Sequence, residues 1–150
     1  MSWQGKDKNG SEQNIWFLNT DGFYKVPHNF EWEVKKMPNV VFVSSPLRTQ
    51  DSVQGYKYHV YAEKATRDCF SRGEIPVVPH RMYPGVLDAE IEEENEMAIT
   101  ACATLLTRCD FIAVYYDHGI SKGMGLELIQ AVKIGIPIKF RSLEDAKKTE

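Results

Sequence analysis

Short apolar runs alternate with longer segments of helical periodicity over residues 40–140. The runs are 40–43, 75–78, 110–116 and 136–140, and the helical segments are 55–72, 89–108 and 123–134. Continuous apolar runs of this length are typical of strands buried on both faces of a parallel sheet. The alternation predicts an α/β fold, a doubly wound, Rossmann- or flavodoxin-like sheet that is mainly parallel and has four core strands.

Each helical segment has an expected buried stripe and an expected end. The stripes are Tyr58, Tyr61, Ala62, Ala65 and Cys69 in the first segment, Met97, Ala98, Ala101 and Leu105 in the second, and Met124, Leu128, Ala131 and Val132 in the third. Gly73 and Gly135 stand where C-caps belong. Pro76 is expected at the first position of its strand, because proline cannot donate to a ladder. Residues 79–88 are expected to form a loop.

The N-terminal quarter of the chain differs from the rest. Residues 1–13 are polar and predict a flexible tail, whereas 14–38 predict an aromatic-rich β-hairpin extension with its turn at 19–22. Residues 39–150 form the predicted main domain, ending in a charged segment with a short final helix. Two interpretations of the hairpin remain open, a packed extension at the edge of the domain and a lid or subunit interface.

Composition and net charge argue against several kinds of binding partner and site. The net charge of −3 gives no reason to expect binding to polymeric nucleic acid or anionic lipid. No apolar run approaches the ~20 residues that span a bilayer. Three cysteines without metal-like spacing indicate a reduced, cytoplasmic protein, and four histidines without suitable partners give no reason to expect a metal site.

Three segments follow predicted strands and therefore converge at one edge of the sheet, where ligands of such folds bind. They are residues 44–48, 79–82 and 117–127. The last is rich in glycine and leads into a helix. Ser121, Gly123 and Gly125 there could cradle a phosphate or carboxylate at the helix N-terminus, or form an ordinary turn in which Ser121 caps the helix. The spacing matches neither the P-loop nor the dinucleotide fingerprint.

Each charged side chain in these segments has both a functional and a structural interpretation. Glu127 could be a nucleophile in glycosyl transfer or a solvated helical carboxylate. Arg48 could bind phosphate or lie on the surface. Asp117 with His118, and His80 with Arg81, could act as acid, base or hydroxyl acceptor, or could form turns.

A longer motif adds a family resemblance. Ser121-x-Gly123-x-Gly125-x-Glu127-Leu128-x-x-Ala131, followed by Gly135-Ile136-Pro137-Ile138, resembles the nucleoside 2-deoxyribosyltransferase-like superfamily, and most closely its 2′-deoxynucleoside 5′-phosphate N-hydrolase branch. The turn Ser44-Ser45-Pro46-Leu47-Arg48 and the strand start Cys109-Asp110 are similar to the same proteins. The resemblance covers about residues 40–140 and leaves 1–38 outside.

The resemblance implies a Rossmann-like fold and cleavage or transfer at the N-glycosidic bond of a deoxynucleoside or its monophosphate. From their places in the converging segments, Asp117 is a second catalytic candidate, and Ser44, Ser45, His80 and Gly125 are further candidates for ligand binding. The resemblance would place Glu127 as the nucleophile and Ser121 and Gly123 at the phosphate or sugar end, with Arg48 assisting. It also implies a homo-oligomer whose pockets a neighbouring subunit completes, without metal or organic cofactor.

One position departs from the family pattern. An aspartate is expected on the second helix about two turns before Asp110, and Cys102 stands there instead. Two functions therefore remain in view, an N-glycosidase or deoxyribosyltransferase, and a non-catalytic module that senses or sequesters a nucleotide signal. A structural role that uses neither activity is the third.

Overall fold

The structure, a computed structural model, describes residues 16–19, 22–25 and 37–146. The chain divides into two units, Met1–Met37 and Pro38–Glu150. In the first unit, β1 (Trp16–Asn19) and β2 (Gly22–Lys25) pair antiparallel, with Asn19 opposite Gly22. The predicted tail at 1–13 lies outside the described residues.

The second unit alternates strands with helices. Its elements are β3 (Val40–Ser44), α1 (Ser52–Ser71), β4 (Ile75–Val77), α2 (Pro79–Met82), α3 (Glu92–Leu106), β5 (Phe111–Tyr115), α4 (Lys122–Ile134), β6 (Ile138–Arg141) and α5 (Leu143–Ala146). The four strands pair in the order β4-β3-β5-β6, and every pairing is parallel. The predicted doubly wound α/β fold is confirmed.

The sheet separates two apolar clusters, because successive side chains of a strand point to opposite faces. On one face, Val41, Val43 and Ala113 pack with buried residues of α1. On the other, Phe42, Ile112 and Val114 pack with residues of α3 and α4. The central strands β3 and β5 are thus covered on both sides, which explains their continuous apolar runs.

Local expectations were met at helix ends and missed at several other positions. Gly135 ends α4 with φ of 75°, a left-handed conformation that favours glycine. Pro76 lies in the middle of β4 rather than at its start, and β4 is an edge strand, where a missing N–H is tolerated. Met97 and Val132 are exposed rather than buried. The predicted loop at 79–88 begins with the short helix α2.

No helix in the part of the chain that the structure describes is long and apolar enough to cross a membrane.

Candidate functional site

Two serines at the carboxyl end of β3 connect the three loop segments. Ser44, which is fully buried, donates a hydrogen bond from its hydroxyl to Oε2 of Glu127 in α4. The hydroxyl of Ser45 lies 2.9 Å from Nε2 of His80 in α2. The structure therefore brings Ser44, Ser45, His80 and Glu127 together at one edge of the sheet, and we call these four residues the Glu127 cluster.

Glu127 is the ionisable centre of the cluster. It lies in the first half of α4 and is partly buried. Burial disfavours its charged form and raises the pKa of its carboxyl to about 7, against the opposing effect of the Ser44 hydrogen bond. The carboxyl is therefore close to half-ionised at neutral pH, so it can be present as a nucleophilic carboxylate.

His80 is uncharged in the same surroundings. Burial, with a smaller contribution from the charge of Arg81, lowers the pKa of His80 to about 4. A neutral imidazole has one donor nitrogen and one acceptor nitrogen. His80 can therefore exchange a hydrogen bond with Ser45 or a substrate hydroxyl, but at neutral pH it does not supply positive charge for a phosphate.

Helix α3 closes the other side of the cluster. Nη2 of Arg48 lies 3.5 Å from Oδ1 of Asn95, and Arg48 is exposed. Burial raises the pKa of the Cys102 thiol, the charge of Glu127 raises it further, and the charge of Arg48 opposes both. Asn95 and Cys102 are seven residues apart and share one helical face, which points towards Glu127 and Arg48.

Asn95 did not appear among the residues predicted from the sequence. The seven-residue spacing from Cys102 is the signal that could have found it.

The glycine-rich turn forms the N-terminus of α4. Ser121 is the N-cap, and its hydroxyl accepts a hydrogen bond from the N–H of Met124 at 3.3 Å. A Cβ on Gly123 would lie 3.9 Å from Oγ of Ser121, and one on Gly125 would have nothing within 4 Å. Neither glycine has a positive φ. Packing and backbone geometry therefore do not require glycine at either position. Because neither residue has a side chain, the space above the turn is open.

Asp117 has partners outside the cluster. Its carboxylate accepts hydrogen bonds from the hydroxyls of Tyr61 and Ser142 and from the N–H of Leu143. Burial raises the pKa of Asp117, but these hydrogen bonds outweigh burial and hold the pKa below its usual value. Asp117 thus joins α1 to the start of α5, and the catalytic role that we expected for it has no support from these contacts. Tyr61, its main partner, was expected only as a core residue.

Two cavities lie away from the cluster. One of about 640 Å³ is lined by Lys139, Arg141 and neighbouring residues at the edge strand β6. The other, of about 250 Å³, lies between α1 and His118, whose ring packs edge-on against Tyr61. Glu127 lines neither of these two cavities. No three metal-ligating side chains in the described residues are arranged to hold a metal ion.

A family model matches residues 39–141, and its description is a domain of unknown function, DUF7768. The chain belongs to this family. The matched region contains the whole parallel sheet and all four residues of the Glu127 cluster. No curated protein matched the sequence.

The DUF7768 fold is shared with a solved enzyme. The structure is similar to that of a 2-deoxyribosyltransferase from the psychrotolerant bacterium Bacillus psychrosaccharolyticus, with a TM-score of 0.57 and 14% sequence identity. The match covers 69% of this chain and 72% of the other. At this identity the similarity establishes the fold.

Proposed function

We propose that this protein binds a nucleoside or nucleotide and cleaves or transfers the N-glycosidic bond of a deoxynucleoside or its monophosphate. The observation that carries the proposal is the Glu127 carboxyl, which is partly buried at the ligand-binding edge of an α/β sheet and oriented by a fully buried serine. The structural similarity to a 2-deoxyribosyltransferase and the sequence motif that contains Glu127 support the same chemistry.

The proposed reaction has two steps. The Glu127 carboxylate attacks the anomeric carbon, and the base departs with the electrons of the carbon–nitrogen bond and takes up a proton from solvent. Water or a second base then attacks the same carbon, loses a proton to solvent and releases the carboxylate. Ser44 is a positioning residue in this scheme, because its hydroxyl fixes one carboxylate oxygen and leaves the other to react.

The rest of the site would hold the sugar and phosphate. Arg48 is exposed beside the cluster and is bonded weakly to Asn95, so its guanidinium can turn to a phosphate. The open space over Gly123 and Gly125 would let an anion approach the unpaired N–H groups at the start of α4. Ser45 and His80 would contact a sugar hydroxyl through their neutral groups.

A second candidate function is nucleotide binding without turnover, for sensing or sequestering a nucleotide signal. Cys102 favours it, because a thiol occupies the position on the second predicted helix where a carboxylate was expected to position the sugar. The same cradle and Arg48 would serve this function.

We further propose that the protein is a homo-oligomer. Leu126, Ile129 and Val132 form an apolar face on α4 that is more than half exposed. A helix that is apolar on nearly all sides is normally covered on all sides. A second copy seated on this face would cover these three side chains. The free thiols of Cys69, Cys102 and Cys109 are consistent with a cytoplasmic location.

The test is release of free base from a panel of deoxynucleosides and their monophosphates, followed by chromatography. The wild-type protein should release base, and Glu127→Gln should not. Glu63→Gln is the matched control, since Glu63 makes only a surface ion pair with Arg67 on α1 and should leave release unchanged.

Two results separate the candidates. Ligand-induced thermal stabilisation of both wild type and Glu127→Gln, without base release, would reject the enzyme and favour the binding module; about 2.7 kcal/mol is expected at a hundredfold excess over Kd. If Arg48→Ala binds monophosphates as tightly as wild type, the phosphate is not at Arg48.

A further inference from the structure

Within the described part of the chain, the charge of Glu127 has no cationic partner. Its carboxylate accepts a hydrogen bond from the neutral hydroxyl of Ser44, and none of the ion pairs among residues 37–145 includes it. A carboxylate removed from water without a counter-charge is a centre of strong negative potential whenever it is ionised. Such a centre favours a ligand that brings positive charge to it.

The other groups described at this edge of the sheet do not neutralise that potential. Ser45 and His80 are bonded to each other, and the imidazole is uncharged at neutral pH. Cys102 is a protonated thiol, since burial raises its pKa. The guanidinium of Arg48 lies at the exposed rim beside Asn95. Apart from Glu127, the inner part of the site is therefore neutral. The positive charge of Arg48 lies at the exposed rim.

From this arrangement we propose that the preferred substrates of the site are N-glycosyl pyridinium compounds, the chemical class of nicotinamide nucleosides and nucleotides. In these molecules the nitrogen bonded to the anomeric carbon carries a formal positive charge. That charge would lie one bond from the carbon that Glu127 attacks. The inference rests on the proposed function, because it requires Glu127 to act at the glycosidic carbon.

The reaction balances without an added acid. An oxygen of Glu127 forms a bond to the anomeric carbon, the carbon–nitrogen bond breaks, and its electron pair neutralises the pyridinium nitrogen. Water then attacks the anomeric carbon, the ester bond to Glu127 breaks, and the water proton passes to solvent. The products are a neutral pyridine, a free sugar and one proton.

An uncharged purine or pyrimidine base requires a proton donor when it leaves. Its departure leaves negative charge on the base, which must be quenched by a proton. His80 has already lost its proton at neutral pH, and the Cys102 thiol holds its proton tightly. The cluster is thus better matched to a leaving group that departs as a neutral molecule.

The experiment compares two probes that differ in charge at the glycosidic nitrogen. Nicotinamide riboside is cationic, and its reduced dihydropyridine form is neutral and nearly the same size. With the full-length protein near pH 8, calorimetry should give tighter binding of the cationic form by on the order of a hundredfold, which is the attraction of unit charges ~6 Å apart at an effective dielectric constant of ~20. Chromatography should also detect nicotinamide release by the wild-type protein.

Glu127→Gln should bind the two forms equally and release no nicotinamide, whereas Glu63→Gln should behave as wild type. Equal binding of both forms by the wild-type protein, or a preference that survives in Glu127→Gln, would overturn the inference. Cleavage of deoxynucleoside monophosphates without cleavage of nicotinamide riboside would overturn it and leave the proposed function standing. A protein that neither binds nor cleaves any of these probes would overturn both.

Discussion

The raised pKa of Glu127 makes a quantitative prediction about stability. Its carboxyl moves from a pKa of 4.5 to about 7 on folding, so the folded state holds this proton more tightly than the unfolded state. The stabilisation is fully present below the unfolded pKa and is lost as pH rises through the folded pKa. This rise in the pKa corresponds to a total loss of about 3 kcal/mol.

Replacing Glu127 by glutamine removes the ionisation and keeps an oxygen that can accept the Ser44 hydrogen bond. Between about pH 5 and about pH 8 the wild-type protein should lose roughly 2–3 kcal/mol more than Glu127→Gln, since most of the linkage falls in this interval. The variant should therefore be the more stable protein near pH 8 and nearly equal to wild type near pH 5. A residue that destabilises the fold in this way is typical of a functional site.

Urea unfolding followed by circular dichroism measures this difference, provided that the m-value is the same for both proteins. Glu63→Gln should show no pH-dependent difference of this size, because its carboxylate is part of a surface ion pair. If the difference in unfolding free energy between Glu127→Gln and wild type is the same near pH 5 and near pH 8, the burial argument for Glu127 is refuted.

Three further predictions concern other parts of the molecule. Glu74→Gln should lower the unfolding free energy by about 3–5 kcal/mol, because it leaves the guanidinium of Arg141 buried without the carboxylate that now lies 2.8 Å away. A loss below about 1 kcal/mol in urea unfolding would contradict a buried ion pair. Gly125→Ala should raise helix stability by up to about 1 kcal/mol, since a Cβ at this position contacts nothing within 4 Å. It should also weaken monophosphate binding measured by calorimetry. Unchanged binding would show that the glycine-rich turn does not bind the phosphate. Ile129→Glu should dissociate the oligomer in light scattering, and a wild-type monomer would reject the proposed α4 interface.

The sheet was predictable from sequence because both faces of β3 and β5 are covered, which imposes continuous apolar runs. The convergence of Ser44 and Glu127 followed from topology, since the carboxyl ends of parallel strands share one edge. These inferences needed only the order of the elements.

Positions set by tertiary packing were less predictable. Helix α4 is apolar on most of its surface, so its sequence does not distinguish the buried Met124 and Ala131 from the exposed Val132. Asp117 follows β5 and was expected near Glu127, but its carboxylate turns to Tyr61 and Ser142. The direction of a loop side chain depends on the partners that the fold supplies, here α1 and α5, and local sequence does not encode them.

The nucleophilic role of Glu127 is tested most directly by peptide mapping of the protein after acid quench during turnover of a deoxynucleoside monophosphate or of nicotinamide riboside. The proposed mechanism predicts a glycosyl adduct on the peptide that contains Glu127, and no adduct in Glu127→Gln. An adduct on a different side chain, or free base accumulating while the Glu127 peptide stays unmodified, would contradict it.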